Sequence, residues 1–106
     1  MEERERRVGE NEAVFRQVNE QIRGLAGTHS ELSIVCECGR LGCVEAITLP
    51  LEEYERVRSE STLFVVVPGH ELADVEHVVE EHEGYSVIRK HEGSAAVVAE
   101  VTDPRE

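Results

Sequence analysis

Cys36-Glu-Cys-Gly-Arg-Leu-Gly-Cys43 holds every cysteine of the chain, in the spacing C-x-C-x4-C with Gly39 and Gly42 between them. Three thiols packed into eight residues ask for a chemical reason. A structural zinc ion takes four thiolate or imidazole ligands in a tetrahedron, so this loop supplies three quarters of such a site. Two cysteines one residue apart can both bind where the backbone between them kinks. Gly39 is expected to free the chain to turn before Cys43 closes the loop. The fourth ligand has to come from elsewhere, and His70 is the first choice. It follows the apolar run Leu63-Phe-Val-Val-Val67 across a Pro68-Gly69 turn, and a strand end places a distant ligand reproducibly. His29, in a polar turn ahead of the first cysteine, is the second choice. His77, His82 and His91 stand among glutamates and read as solvated surface residues.

Two other readings of the loop compete with zinc. Three cysteines can be small buried hydrophobes that happen to cluster. A reactive, redox-sensing thiolate is the other, but it needs nearby positive charge, and Glu37 and Glu45 flank these cysteines with only Arg40 opposing them. A disulfide within so short a loop would be strained.

On either side of the loop, Ser33–Cys36 and Val44–Leu49 read as strands, making a hairpin whose turn is the metal knuckle. Pro50 stops the second strand. Leu51–Arg58 then reads as a short helix with Leu51, Tyr54 and Val57 inward, and with Glu55, Arg56 and Arg58 on the solvated face. Upstream, Phe15, Val18, Ile22 and Leu25 recur at three- and four-residue steps. They predict an amphipathic helix capped by Asn11, ended by Gly24 and Gly27, and covering the sheet with that stripe. Downstream, Leu63–Val67 is β-branched and bounded by turn residues, as expected of a buried central strand. Residues 71–91 fit a helix or a hairpin. The hairpin is favoured, with arms Val75–His82 and Tyr85–Lys90 about a Glu83-Gly84 turn. Ser94–Val101 fits a helix or an edge strand.

The expected architecture is therefore a small α+β domain: an N-terminal amphipathic helix packed on a short antiparallel sheet with a zinc-knuckle hairpin. Residues 1–10 would be a flexible, frayed or helical lead-in, 11–101 one domain, and 102–106 a tail. With 106 residues there is room for a single core, and 40% hydrophobic but only 4% aromatic residues make that core modest enough to gain from a metal staple.

Charge narrows the partners. Twenty-three acidic residues against 11 basic ones give a formal −12, which repels nucleic acid and suits either a solubilising surface or docking of a basic protein. A homodimer through the first helix is a further expectation. No apolar run reaches membrane-spanning length, and Glu2 and Glu3 follow Met1, unlike a secretory leader, so a cytoplasmic protein is expected. No G-x-S-x-G, H-E-x-x-H, phosphate-loop or dinucleotide pattern occurs, so a non-enzymatic role is expected, with a thiol-based redox or metal-responsive sensor as the alternative.

Two resemblances add to this. Cys36-x-Cys38-Gly39-x3-Cys43 resembles the zinc-binding tail that follows the catalytic domain of SET-type lysine methyltransferases, where the fourth ligand also comes from a distance. Over those eight residues the likeness implies metal geometry and no activity. From residue 11 to about 90 the chain resembles a group of short, acidic, uncharacterised bacterial proteins. The matching pieces are Asn11-Glu12-x-x-Phe15-Arg16-x-Val18-Asn19-Glu20, the cysteine loop, Leu51-x-x-Tyr54-x-x-Val57-Arg58 and Phe64-x-Val66-x-Pro68-Gly69-His70. That likeness implies no activity, and it fits pairing the cysteines with His70.

Overall fold

The computed structural model describes residues 3–40 and 42–105, in the order α1 (Glu3–Ala26), β1 (Glu31–Val35), β2 (Ala46–Pro50), α2 (Leu51–Arg58), β3 (Leu63–Val66), β4 (Glu76–His82), β5 (Tyr85–Lys90) and α3 (Ser94–Val101). The class is α+β. Among the described residues the strands form two antiparallel sheets, β1–β2 and β3–β5–β4. The knuckle hairpin is present: Leu32 pairs with Leu49 and Ile34 with Ile47, and the Cys36 N–H continues the ladder to the Glu45 carbonyl at 2.8 Å. Leu32, Ile34, Ile47 and Leu49 are all buried, the period-two burial of a sheet with one wet face.

Residues 71–91 resolve as the hairpin, with Tyr85 opposite His82 and an irregularity between Val78 and Glu80 that leaves Val79 as the extra residue. Ser94–Val101 resolves as a helix. The core gathers Tyr54 and Val57 of α2, Phe64 and Val65 of β3, Val87 and Ile88 of β5 and Ala99 of α3 around the inner face of β1–β2. Side chains of this kind contribute ~1.5–3 kcal/mol each when fully buried.

Four expectations are corrected. First, the helix does not start at Asn11: α1 begins at Glu3, so residues 3–10 are the helical form of the lead-in, with Val8 and Gly9 buried; Met1 and Glu2 lie outside the described residues. Asn11 is thus inside the helix instead of capping it, and the helix runs through Gly24 to stop before Gly27. Second, only part of the apolar stripe of α1 faces inward: Ile22 packs against the core and Phe15 is half-buried. Glu12, Arg16 and Asn19 turn inward, whereas Val18 is 40% and Leu25 89% exposed. Polar partners on other elements set that rotation. Arg16 donates to the carbonyls of Ser61 (2.6 Å) and Ala99 (2.7 Å) while lying over the Phe64 ring, and Glu12 meets Lys90.

Third, β3 is buried but is an edge strand; β5 is the central one. The outer edge of β3 is covered by the cysteine loop, since Glu37 N–H donates to the Val65 carbonyl at 2.8 Å. Fourth, Arg58 is buried and pairs with Asp103 at 2.6 Å, so the expected tail is anchored at Asp103, with Ser61 Oγ donating to the same carboxylate at 2.5 Å. Glu106 lies outside the described residues. None of the described helices is long and apolar enough to cross a membrane.

The most demanding packing lies beneath α1. Lys90, its side chain fully buried, bridges the equally buried carboxylates of Glu12 and Glu76, and Glu76 also accepts from the Leu72 N–H at 2.9 Å. One cation between two carboxylates leaves an excess negative charge. Burial, aided by Glu76 and opposed by Lys90, accordingly holds the Glu12 carboxyl well above its ordinary value of 4.5. Lys90→Met leaves the carboxyl groups of Glu12 and Glu76 in the core without their shared cation and is expected to lower stability by ~3–5 kcal/mol in urea unfolding. The pH dependence follows from the raised value. The folded chain keeps a proton on Glu12 that the unfolded chain releases above about pH 4.5. The stability this contributes is complete below that pH and is lost as pH rises through the folded-state value. Glu12→Gln, which carries no such proton, is expected to flatten the decline in urea midpoint as pH is raised from 4.5 to 8.

Candidate metal centre

Successive N–H groups at the end of β1 point to opposite sides, Cys36 to β2 and Glu37 to β3. The chain is therefore extended at this point, and an extended chain sends side chains i and i+2 the same way. Cys36 and Cys38 share a side for this reason, with no kink between them. Glu37 points to the opposite side, into the core. The chain bends at Gly39, as expected, without a positive φ there. Gly39 is also where the loop passes so close to α1 that an added Cβ would lie 2.5 Å from Val8 Cγ1. Gly42, at φ +84°, supplies the positive-φ conformation instead, and the Cys43 N–H donates back to Arg40 at 3.2 Å.

The second segment is the turn Val67-Pro-Gly-His70, closed by His70 N–H to the Val67 carbonyl at 2.9 Å, with Pro68 second and Gly69 third at φ +89° as a type II turn requires. It aims His70 Nδ1 at the loop, 3.7 Å from both Cys36 Sγ and Cys43 Sγ. The three sulfurs and the imidazole nitrogen all lie within 4.8 Å of one another. Ligands at ordinary zinc–sulfur and zinc–nitrogen distances sit ~3.6–3.8 Å apart along the edges of a tetrahedron, so the 3.7 Å separations suit one ion at the centre. Cys36, Cys38, Cys43 and His70 are thus brought together as expected. His29, the second choice, is exposed and stays outside the group, and His77, His82 and His91 are likewise exposed.

The surroundings of the cluster orient it. Val67 N–H donates to Cys36 Sγ at 3.2 Å, and His70 Nε2 lies 3.1 Å from Glu45 Oε2. A carboxylate on Nε2 fixes the tautomer whose free lone pair is on Nδ1, the arrangement by which outer partners hold metal-binding histidines. Arg40 leans from the loop to the carbonyls of His70 and Gly69. Burial pushes the Cys36 and Cys38 thiols up, with the Val67 N–H opposing at Cys36 and the Arg40 N–H at Cys38. Such thiols are poor nucleophiles, and a bound cation is what would favour their thiolate form.

Sequence reasoning passed over Glu37 as one more acidic neighbour. Its carboxylate is fully buried. It accepts from Asn19 Nδ2 at 2.8 Å and from Val65 N–H at 3.0 Å, while Asn19 also pairs with both backbone groups of Val35. Burial pushes the Glu37 carboxyl up, against the pull of Asn19, Val65, Arg58 and Arg16. No local pattern marks this residue, because its partners come from α1 and β3. Searches of protein-family models, curated proteins and solved structures give no match to this chain. Glu37→Ala, which leaves the Val65 amide and the Asn19 side chain without an acceptor, is expected to cost about 2–4 kcal/mol. Hydrogen exchange at the Val65 and Val35 amides should accelerate together, before that of β4–β5.

Proposed function

We propose that Cys36, Cys38, Cys43 and His70 bind one structural Zn2+ per chain, and that the protein is a non-enzymatic interaction or regulatory module whose surface this centre keeps rigid. The observation that carries the reading is the convergence of four ligand atoms from two separate segments to within 4.8 Å. Three sulfurs and one imidazole favour a borderline-soft, tetrahedral ion over the oxygen-seeking Mg2+ and Ca2+. Four protein ligands fill the tetrahedron, whereas a catalytic zinc keeps a position open for water or substrate. The formal charge of −12 supports a basic protein as partner, and clustered free thiols suit a reducing compartment such as the cytoplasm.

A thiol-based sensor is the second reading. The partial exposure of Cys43 favours it; the burial that holds Cys36 and Cys38 protonated weighs against it.

Metal analysis of protein purified without added zinc is expected to give one zinc per chain. Cys38→Ser and His70→Ala should each lower zinc affinity at least about tenfold and reduce the melting temperature. Folded, metal-free protein whose thiols react rapidly with peroxide would overturn the structural centre in favour of the sensor. Full occupancy in His70→Ala would remove only His70 from the ligand set.

A further inference from the structure

Helix α1 is turned inside out with respect to charge. Between Asn11 and Leu25 it carries four charged residues, and all four are engaged on its inner side or flanks. Glu12 meets Lys90; Arg16 is hydrogen-bonded to Ser61 and Ala99; Glu20 accepts from the Tyr54 hydroxyl at 2.7 Å and from Arg105; and Arg23 lies 3.4 Å from Glu55. The solvent side of the same stretch is uncharged. Asn11, Val14, Val18, Gln21 and Leu25 follow one another at steps of three and four residues, which places them in a single stripe. Val14 is 60%, Val18 40% and Leu25 89% exposed. Half-buried Phe15 and Ile22 adjoin it.

We propose that this stripe is a self-association surface, on which α1 of a second copy of the chain lies antiparallel about a two-fold axis. Charge selects the occupant. Two chains of −12 repel wherever their acidic faces meet, and an uncharged stripe is where they can approach. A basic partner would find nothing to pair with here and would be drawn to the acidic faces instead. The stripe is also complementary to itself. An antiparallel pair centred between residues 19 and 20 sets Val14 against Leu25 of the second copy and Val18 against its Gln21, so both copies use the same patch, as a two-fold contact requires. Val14 to Leu25 spans ~16 Å of helix, a contact at the small end for specific interfaces, so association depends on concentration. The proposal does not rest on the metal centre.

Sedimentation equilibrium of the full-length, metal-replete chain tests it. Dimer should form as concentration rises into the range of tens to hundreds of micromolar, and should tighten as salt is raised, because screening reduces repulsion between the remaining acidic surfaces. Val18→Glu and Leu25→Glu should each raise the dissociation constant at least about tenfold by burying a carboxylate without a partner. Val79→Glu, on the exposed bulge of β4, should leave it unchanged. Circular dichroism melts of each variant control for folding, and Leu25 is too exposed for its substitution to disturb the core. A monomer at all concentrations, or a dimer that survives both stripe variants, would overturn the proposal. So would a dimer that weakens with salt, since that is the signature of ion pairs.

Discussion

The carboxylate of Glu37 is the point at which three otherwise separate pieces of the molecule meet. Helix α1 reaches it through Asn19, the edge of β3 through the Val65 N–H, and the knuckle hairpin supplies it as the residue between two cysteines. Neither sheet alone would bury enough: β1–β2 has two strands and β3–β5–β4 only three, and small sheets depend on packing against another element. Glu37 joins them edge to edge, with its backbone N–H giving one bond and its side chain accepting another from the same residue of β3. Its burial is costly for a charge. Asn19, the Val65 amide and the attraction of Arg58 and Arg16 offset that cost, and they do so only while α1, β1 and β3 hold their relative positions.

This coupling explains why the ligand cluster forms where it does. Extended backbone at residues 36–38 sends Glu37 one way and both cysteines the other, so fixing the carboxylate in the core fixes the two sulfurs toward the turn that carries His70. The Val67 N–H on Cys36 and the Glu45 carboxylate on His70 hold the same group from its inner and outer sides. Cation binding by these four side chains would therefore pull on the same short stretch of chain as packing of the core. A metal bound there and the Glu37 hydrogen bonds would reinforce one another, since each restrains the residues the other needs.

Much of the fold was legible because its signals are local. The hairpins were marked by Glu83-Gly84 and by the cysteine loop, α2 by Pro50 and the inward Tyr54 and Val57, and β3 by a β-branched run between turn residues. The grouping of the four candidate side chains was legible for a related reason: thiol spacing is a property of one segment, and the Val67–His70 turn aims His70 at it with a Pro-Gly pair that sequence displays. What escaped were the polar groups buried by partners from far away that no turn residue marks. Arg58 read as a solvated residue and nothing local marked Glu12, Arg16 or Asn19; only Asp103, Lys90, Ala99 and Val35 show why they are buried. The same distant partners turn Val18 and Leu25 of the stripe to solvent while Ile22 still meets the core, so the period was right and the face only partly so. The edge position of β3 escaped for the same reason, since apolar content reports burial and not which neighbours a strand has.

An apolar stripe on solvent beside a charged face in the core reverses the usual division, and the reversal has a physical basis. The core here is small, and α1 leaves Val14, Val18 and Leu25 outside it. Anchoring through Glu12, Arg16 and Asn19 instead brings directional bonds to Lys90, Ser61, Ala99 and Val35, which fix the rotation of the helix far more sharply than apolar contact would. Directional anchoring of this kind holds the stripe in one orientation, and an apolar surface held in one orientation loses little entropy when another surface covers it. The arrangement that makes the interior costly to assemble is therefore also what makes the outer face of α1 suited to recognition.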